Sequence, residues 1–95
     1  MKPEVWEDLG EAGLKMLLAI YEAGGEADFN TVAYIARVGR SSWYRLSSIF
    51  TKYGLVESYE AESARGIVKR MKLTPKGFRV AALLKRLEEE LLAQS

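Results

Sequence analysis

Along the chain the hydrophobic positions change period several times, and each change marks an element. In "EAGLKMLLAIYEAGG", Leu14, Leu17, Leu18 and Tyr21 recur at intervals of three and four, the spacing of one helical face. The Gly24-Gly25 pair ends this helix, since glycine accepts left-handed dihedrals without steric cost. Upstream, Val5, Trp6 and Leu9 fit an extra turn with Pro3 at its first helical position. "EADF" (Glu26 to Phe29) suits a brief extended segment. "NTVAYIARV" reads as a short helix N-capped by Asn30, with Val32, Ile35 and Ala36 on one face. Gly39 then permits a tight turn, and Ser41 is placed to cap the helix that follows.

That next helix has two faces. At about 100° per residue, Trp43, Leu46, Phe50 and Tyr53 fall within one apolar arc, with Ser47 and Ile49 on its flanks. Ser41, Tyr44, Arg45, Ser48 and Lys52 collect on the opposite arc, and Gly54 terminates the helix. Two short helices joined by a turn containing glycine make a helix-turn-helix candidate. Beyond Gly54 the period drops to two. "LVESYE" and "IVKRMKL" read as the strands of a hairpin, with "AESARG" as its loop. On the second strand Ile67, Met71 and Leu73 share one face while Val68, Arg70 and Lys72 share the other; Lys69 interrupts the alternation.

"LTPKG" opens the last helix, with Thr74 as N-cap and Pro75 at the first position. Val80, Leu84, Leu87 and Leu91 follow at 4-3-4 spacing, the seam of a coiled coil, with Phe78, Leu83 and Leu92 beside it. A helix of about 20 residues is about 30 Å long, more surface than so small a core covers. The seam therefore predicts a homodimer joined through this helix. Trp6 either adds to that partner surface or folds back on its own core.

Composition narrows the chemistry. The 95 residues contain no Cys and no His, which removes thiol nucleophiles, imidazole bases, disulfides and the usual zinc sites. Clustered carboxylates and phosphate-cradling glycine loops are also missing, so the chain does not read as an enzyme and implies no cofactor or metal. "MKPEVWEDLGEAG" is acidic and glycine-interrupted, unlike a signal peptide, and the longest apolar run, "MLLAIY", is too short to span a bilayer. These features predict a cytoplasmic protein with no membrane partner. Net charge is only +1. Its distribution is uneven: residues 30–56 carry four basic side chains and no acid, and residues 63–86 carry eight and no acid. Acids are concentrated before, between and after these blocks. Two basic blocks folded toward one surface would form a footprint for phosphate.

The order helix, helix, turn, helix, hairpin, long helix is that of a winged helix-turn-helix domain. "SSWYRLSSIFTKYGLVES", a loop, and then "VKRMKLTPKG" resembles MarR-like and PadR-like transcription regulators over roughly residues 12–92. The predicted fold class is mainly α with a small β-hairpin, a winged helix-turn-helix with a long C-terminal dimerisation helix. Residues 1–10 form an arm, 30–54 the helix-turn-helix, 55–73 the β-wing and 74–94 a coiled-coil-like helix. The resemblance implies a homodimer that binds double-stranded DNA and regulates transcription at the nucleoid. Members of these families are often longer, and here little chain remains for a small-molecule pocket, so no ligand is expected.

By the same resemblance, Ser41, Ser42, Tyr44, Arg45, Ser48 and Lys52 enter the major groove, where Arg45 can make a bidentate contact to guanine. Arg40, placed in the turn, holds phosphate. Arg65 sits near the wing tip, with Lys69 and Arg70 on the returning strand, where the minor groove or backbone is in reach. Glu60 and Glu62 oppose that approach, and Lys72, Lys76 and Arg79 flank the last helix as further candidates for phosphate or plain solvated charges. Trp6, Val80, Leu84, Leu87 and Leu91 are the expected dimer contacts. Two other functions fit the same fold: an architectural or DNA-partition protein that spreads along DNA, and a winged helix used only for protein–protein contact.

Overall fold

The computed structural model describes residues 4–94 and contains four helices and three strands. They run α1 (Glu4–Glu22), β1 (Glu26–Asp28), α2 (Phe29–Ala36), α3 (Arg40–Lys52), β2 (Val56–Ser63), β3 (Gly66–Leu73) and α4 (Pro75–Leu92). The helix start expected at Pro3 lies outside the described residues. The extra turn around Val5 to Leu9 is helical and joins the rest of α1 across a kink at Gly10 (φ 60°, ψ −174°), a conformation open essentially to glycine alone.

The buried face of α1 differs from the expected stripe. Leu9, Gly13, Met16, Leu17, Ala19 and Ile20 are buried, whereas Leu14, Leu18 and Tyr21 are only half-buried. Small residues explain the rotation: α3 approaches so closely that a Cβ on Gly13 would lie 3.2 Å from Leu46 Cδ2. A stripe drawn through large apolar residues passes over such a contact.

Both expected caps of the helix-turn-helix are also displaced. Helix α2 begins two residues early, and Asp28, not Asn30, is its N-cap, its Oδ1 accepting from Thr31 N at 3.0 Å. Val32 and Ala36 are buried as expected, but Ile35 is exposed. In the turn, the left-handed residue is Arg37 (φ 56°, ψ 51°), whose N–H donates to Ala33 O. Gly39 (φ −90°, ψ 174°) is extended and serves as the N-cap of α3 without a side-chain bond, so Arg40 and Ser41 are already helical.

The strands form one antiparallel sheet in the order β1-β3-β2, a strand more than the expected hairpin. Ala27 pairs with Met71 and Asp28 with Arg70, so the short "EAD" strand braces the base of β3. Val56↔Leu73 through Ser63↔Gly66 pair along the hairpin, which leaves a turn of Ala64 and Arg65 in place of the longer loop.

Trp43, Leu46 and Phe50 of α3 meet Met16, Leu17, Ile20, Val32, Met71 and Ala81 in the core. A polar knot closes the C-terminal end of α3. The Thr74 hydroxyl donates to Gly54 O at 2.6 Å and accepts from Gly77 N at 3.0 Å, while Thr74 N donates to Leu55 O. Along α4, Val80 and Leu84 pack on the chain's own core, correcting the expectation that they belong to a free seam. The apolar stripe left outward is Leu83 (63% exposed), Leu87 (55%) and Leu91 (75%). Among the described residues no helix is long and apolar enough to cross a membrane.

Candidate nucleic-acid interface

Burial of Trp43, Leu46 and Phe50 fixes the rotation of α3 and thereby which residues face outward. Ser41, Tyr44, Arg45, Ser48 and Lys52 are exposed and Ser42 is half-buried. The start of the helix is held by an aromatic stack. Phe29 meets Trp43 edge to face, with ring centres 5.7 Å apart, and the Arg40 guanidinium lies 4.4 Å over the Phe29 ring. An exposed cation–π contact of this kind is worth about 0.5–1 kcal/mol. It holds Arg40 at the N-terminal end of α3, where no carboxylate among the described residues forms an ion pair with it.

Alternation along β3 places Lys69 and Met71 on the side that faces α3. Met71 is buried and its Sδ accepts from Ser47 Oγ at 3.4 Å. One rung outward, Lys69 Nζ lies 5.5 Å from the centre of the Tyr44 ring. Helix and sheet thus enclose an open groove lined by Tyr44, Ser48, Lys52, Tyr59, Glu60 and Lys69. Glu60 is the register partner of Lys69 and brings one negative charge to the rim. Arg65 occupies the tip of the hairpin, in a turn held by Arg65 N donating to Ser63 Oγ and Ser63 Oγ donating to Gly66 O.

Arg70 borders the same groove beside Tyr59, but its charge is engaged elsewhere. It falls on the opposite side of β3 from Lys69 and its Nε is paired with Glu26 Oε2 at 3.1 Å. It also faces Asp28, whose carboxyl is held below the usual carboxylate range, chiefly by the Thr31 hydrogen bonds and to a lesser extent by the Arg70 charge. The sequence pattern groups Arg70 with Arg65 and Lys69 because the acid that pairs with it lies 44 positions away in the chain. Lys72 shares the Arg70 side, Lys76 Nζ donates to Tyr53 O at 2.8 Å beside the end of α3, and Lys85 bridges Glu22 and Glu88. The second basic block is therefore divided over several surfaces.

An acid also reaches the outward arc of α3, which the sequence had presented as acid-free. Asp8, in the segment of α1 before the Gly10 kink, accepts from Tyr53 OH at 2.7 Å through Oδ2 and lies 3.7 Å from Lys52 Nζ. Its backbone carbonyl accepts from Arg45 Nη1 at 3.4 Å. The hydrogen bond to Asp8 holds the Tyr53 hydroxyl above the ordinary phenol range. Nothing in the local sequence signals these contacts, which join residues separated by about 40 positions through a bend that only the Gly10 conformation creates. Trp6, in the same segment, is 64% exposed and does not fold back on the core.

No protein-family model matches the sequence, and neither does any curated protein. Solved structures do match over nearly the whole chain. A protein from Archaeoglobus fulgidus superposes with a TM-score of 0.75 at 20% identity, over 94% of this chain and 98% of that one. Sso10a-2, a DNA-binding protein from Sulfolobus solfataricus, gives 0.65 at 14% identity, over 90% and 99%. A MarR family transcriptional regulator from Silicibacter pomeroyi gives 0.70 at 20% identity, over 90% of this chain and 55% of that longer one. With the element order, the sheet and the placement of α3 as described, these likenesses establish that the chain has a winged helix-turn-helix fold.

Proposed function

We propose that this chain is a homodimeric double-stranded DNA-binding protein that acts as a sequence-specific transcriptional regulator in the cytoplasm. Helix α3 enters the major groove, and the β2-β3 hairpin, as the wing, reaches the adjacent minor groove or backbone. One observation carries the reading. Arg40, Tyr44, Ser48 and Lys69 stand on one face with Arg65 beyond them at the wing tip, and among the described residues no carboxylate pairs with Arg40, Lys69 or Arg65. Three cations without an ion pair among the described residues, at the two ends and the rim of one groove, suit phosphates on either side of a bound helix. Tyr44 and the serines are left to meet bases, and Arg45 joins them where it leaves the Asp8 carbonyl. Support also comes from the fold's presence in a DNA-binding protein and a transcriptional regulator.

The dimer is proposed from α4. Leu83, Leu87 and Leu91 form an outward apolar stripe at intervals of four, and a second copy of the same helix buries it, with Trp6 extending the contact. Two-fold symmetry then sets half-sites about 34–36 Å apart, one turn of DNA.

Salt titration of binding to a selected duplex tests the reading. Six phosphate contacts per dimer, from Arg40, Lys69 and Arg65, give a slope of log K against log salt of about −5. Arg65→Ala weakens binding to all sequences alike, whereas Arg45→Ala relaxes preference at one base pair. A flat salt response, or no duplex binding at low salt, refutes the proposal. A protected site that grows with protein concentration would replace the regulator with the spreading, architectural reading.

A further inference from the structure

Asp8 of α1 sits against the cationic side of α3. Its carboxylate lies beside Lys52 and is fixed by the Tyr53 hydroxyl, while the carbonyl of the same residue holds the Arg45 guanidinium. Two of the three cations that α3 carries are thereby engaged by one residue of α1. The arrangement is built, since Gly10 bends α1 through dihedrals that no other residue adopts readily, and Leu9 beside it is buried in the core. Glu4, one turn before Asp8, adds its charge to the field at Tyr53. The Lys52 side chain is 68% exposed, so it stays accessible to a competing anion.

We propose that Asp8 is an intramolecular phosphate mimic. It neutralises Lys52 and restrains Arg45 in the free protein, and the DNA backbone must displace it to recruit these two side chains. This rests on the DNA-binding reading above. In physical terms, Asp8 lowers nonspecific affinity, because a random phosphate must compete with a carboxylate already hydrogen-bonded in place. A site that gives Arg45 a base to contact meets that competition with a bond nonspecific DNA does not offer. Asp8 is thus a positioning residue that raises discrimination by weakening the background.

The substitution Asp8→Asn isolates the charge, since the amide oxygen still accepts from Tyr53 while the anion is gone. Binding of the full-length protein to a selected duplex and to a scrambled duplex is measured across a salt series. On the scrambled duplex, where wild type leaves Lys52 with Asp8, releasing Lys52 adds one phosphate contact per subunit and steepens the slope from about −5 to about −7. Loss of an exposed ion pair allows a gain of about threefold per subunit, or about tenfold per dimer, on the scrambled duplex at low salt. The gain on the selected duplex is smaller, so the ratio of the two affinities falls. In a Lys52→Gln background the Asp8→Asn gain disappears. Glu7→Gln, which removes a charge from the same helical segment, leaves affinity and slope unchanged. If wild type binds with its steep slope and Asp8→Asn matches it in affinity and slope, or if Glu7→Gln produces the same gain, the mimic is refuted while the DNA reading stands. If neither protein binds duplex at low salt, both fall together.

Discussion

Replacing Gly77 by alanine sets two effects against each other. In an exposed helix the change stabilises by about 1 kcal/mol through helix propensity alone. Gly77 is buried in the first turn of α4, where the helix crosses the start of β2. An added Cβ would enter the van der Waals envelope of the Leu55 carbonyl oxygen, 3.0 Å from the carbonyl carbon and 3.2 Å from Leu73 Cδ2. That oxygen cannot swing aside, because it accepts from Thr74 N at 3.0 Å, and the Thr74 hydroxyl is tied to Gly54 O. The helix must lift instead. Overpacking of this kind costs about 1–3 kcal/mol, and distortion of the Thr74 bonds adds about 1 kcal/mol. Set against the propensity gain, the net loss is about 2 kcal/mol, and in a domain of this size each kcal/mol lowers the midpoint by about 4–8 °C. Thermal unfolding followed by far-ultraviolet circular dichroism, at one fixed protein concentration, should show a Tm lowered by about 8–16 °C. An unchanged or higher Tm would mean that the α4–β2 crossing gives way freely, and the packing argument would be wrong.

Removing the Asp28 cap with Asp28→Ala should cost about 1 kcal/mol in urea unfolding, since Thr31 N loses its partner. The Asp28 carboxyl titrates below the usual carboxylate range, so its contribution is complete above that range and is lost as pH falls through the lowered value. Asp28→Asn keeps an acceptor and should flatten the acid limb of the stability curve below about pH 4. Leu87→Lys places a charge in the outward stripe of α4 without touching the core, and sedimentation should show the dimer giving way to a folded monomer. A wild-type protein that sediments as a monomer at all concentrations would refute the proposed interface.

The fold was legible because its signals are local. Gly24-Gly25, Gly54 and the Thr74-Pro75 start punctuate the chain wherever an element ends or begins, and the apolar arc of Trp43, Leu46 and Phe50 survives intact in the core. The misplacements share a cause in tertiary contact. Asn30 and Asp28 are equally good caps in isolation, but pairing of Glu26–Asp28 with β3 fixes the chain two residues earlier and hands the cap to Asp28. Gly39 looks like the residue for the turn, yet Arg37 adopts the left-handed conformation and leaves Gly39 extended. Spacing alone defines the seam of α4, and the core claims Val80 and Leu84 from it. At the candidate interface, Arg40, Tyr44, Ser48 and Lys69 converge, while Arg70 is withdrawn by Glu26 and Lys52 by Asp8. Both withdrawals depend on acids more than 40 residues distant, which no local pattern encodes.

The register of the hairpin has a consequence for how such a protein can be retuned. Strand β1 braces β3 only at Arg70 to Lys72, so Gly66 to Lys69 project past it with β2 as sole support. At about 3.3 Å per residue, that is an overhang of about 13 Å. Lengthening each strand by one residue would turn every projecting side chain to the other side of the sheet and carry Lys69 away from Tyr44. Only paired additions of two preserve the facing, so the reach of Arg65 behaves as a ruler graduated in steps of about 7 Å.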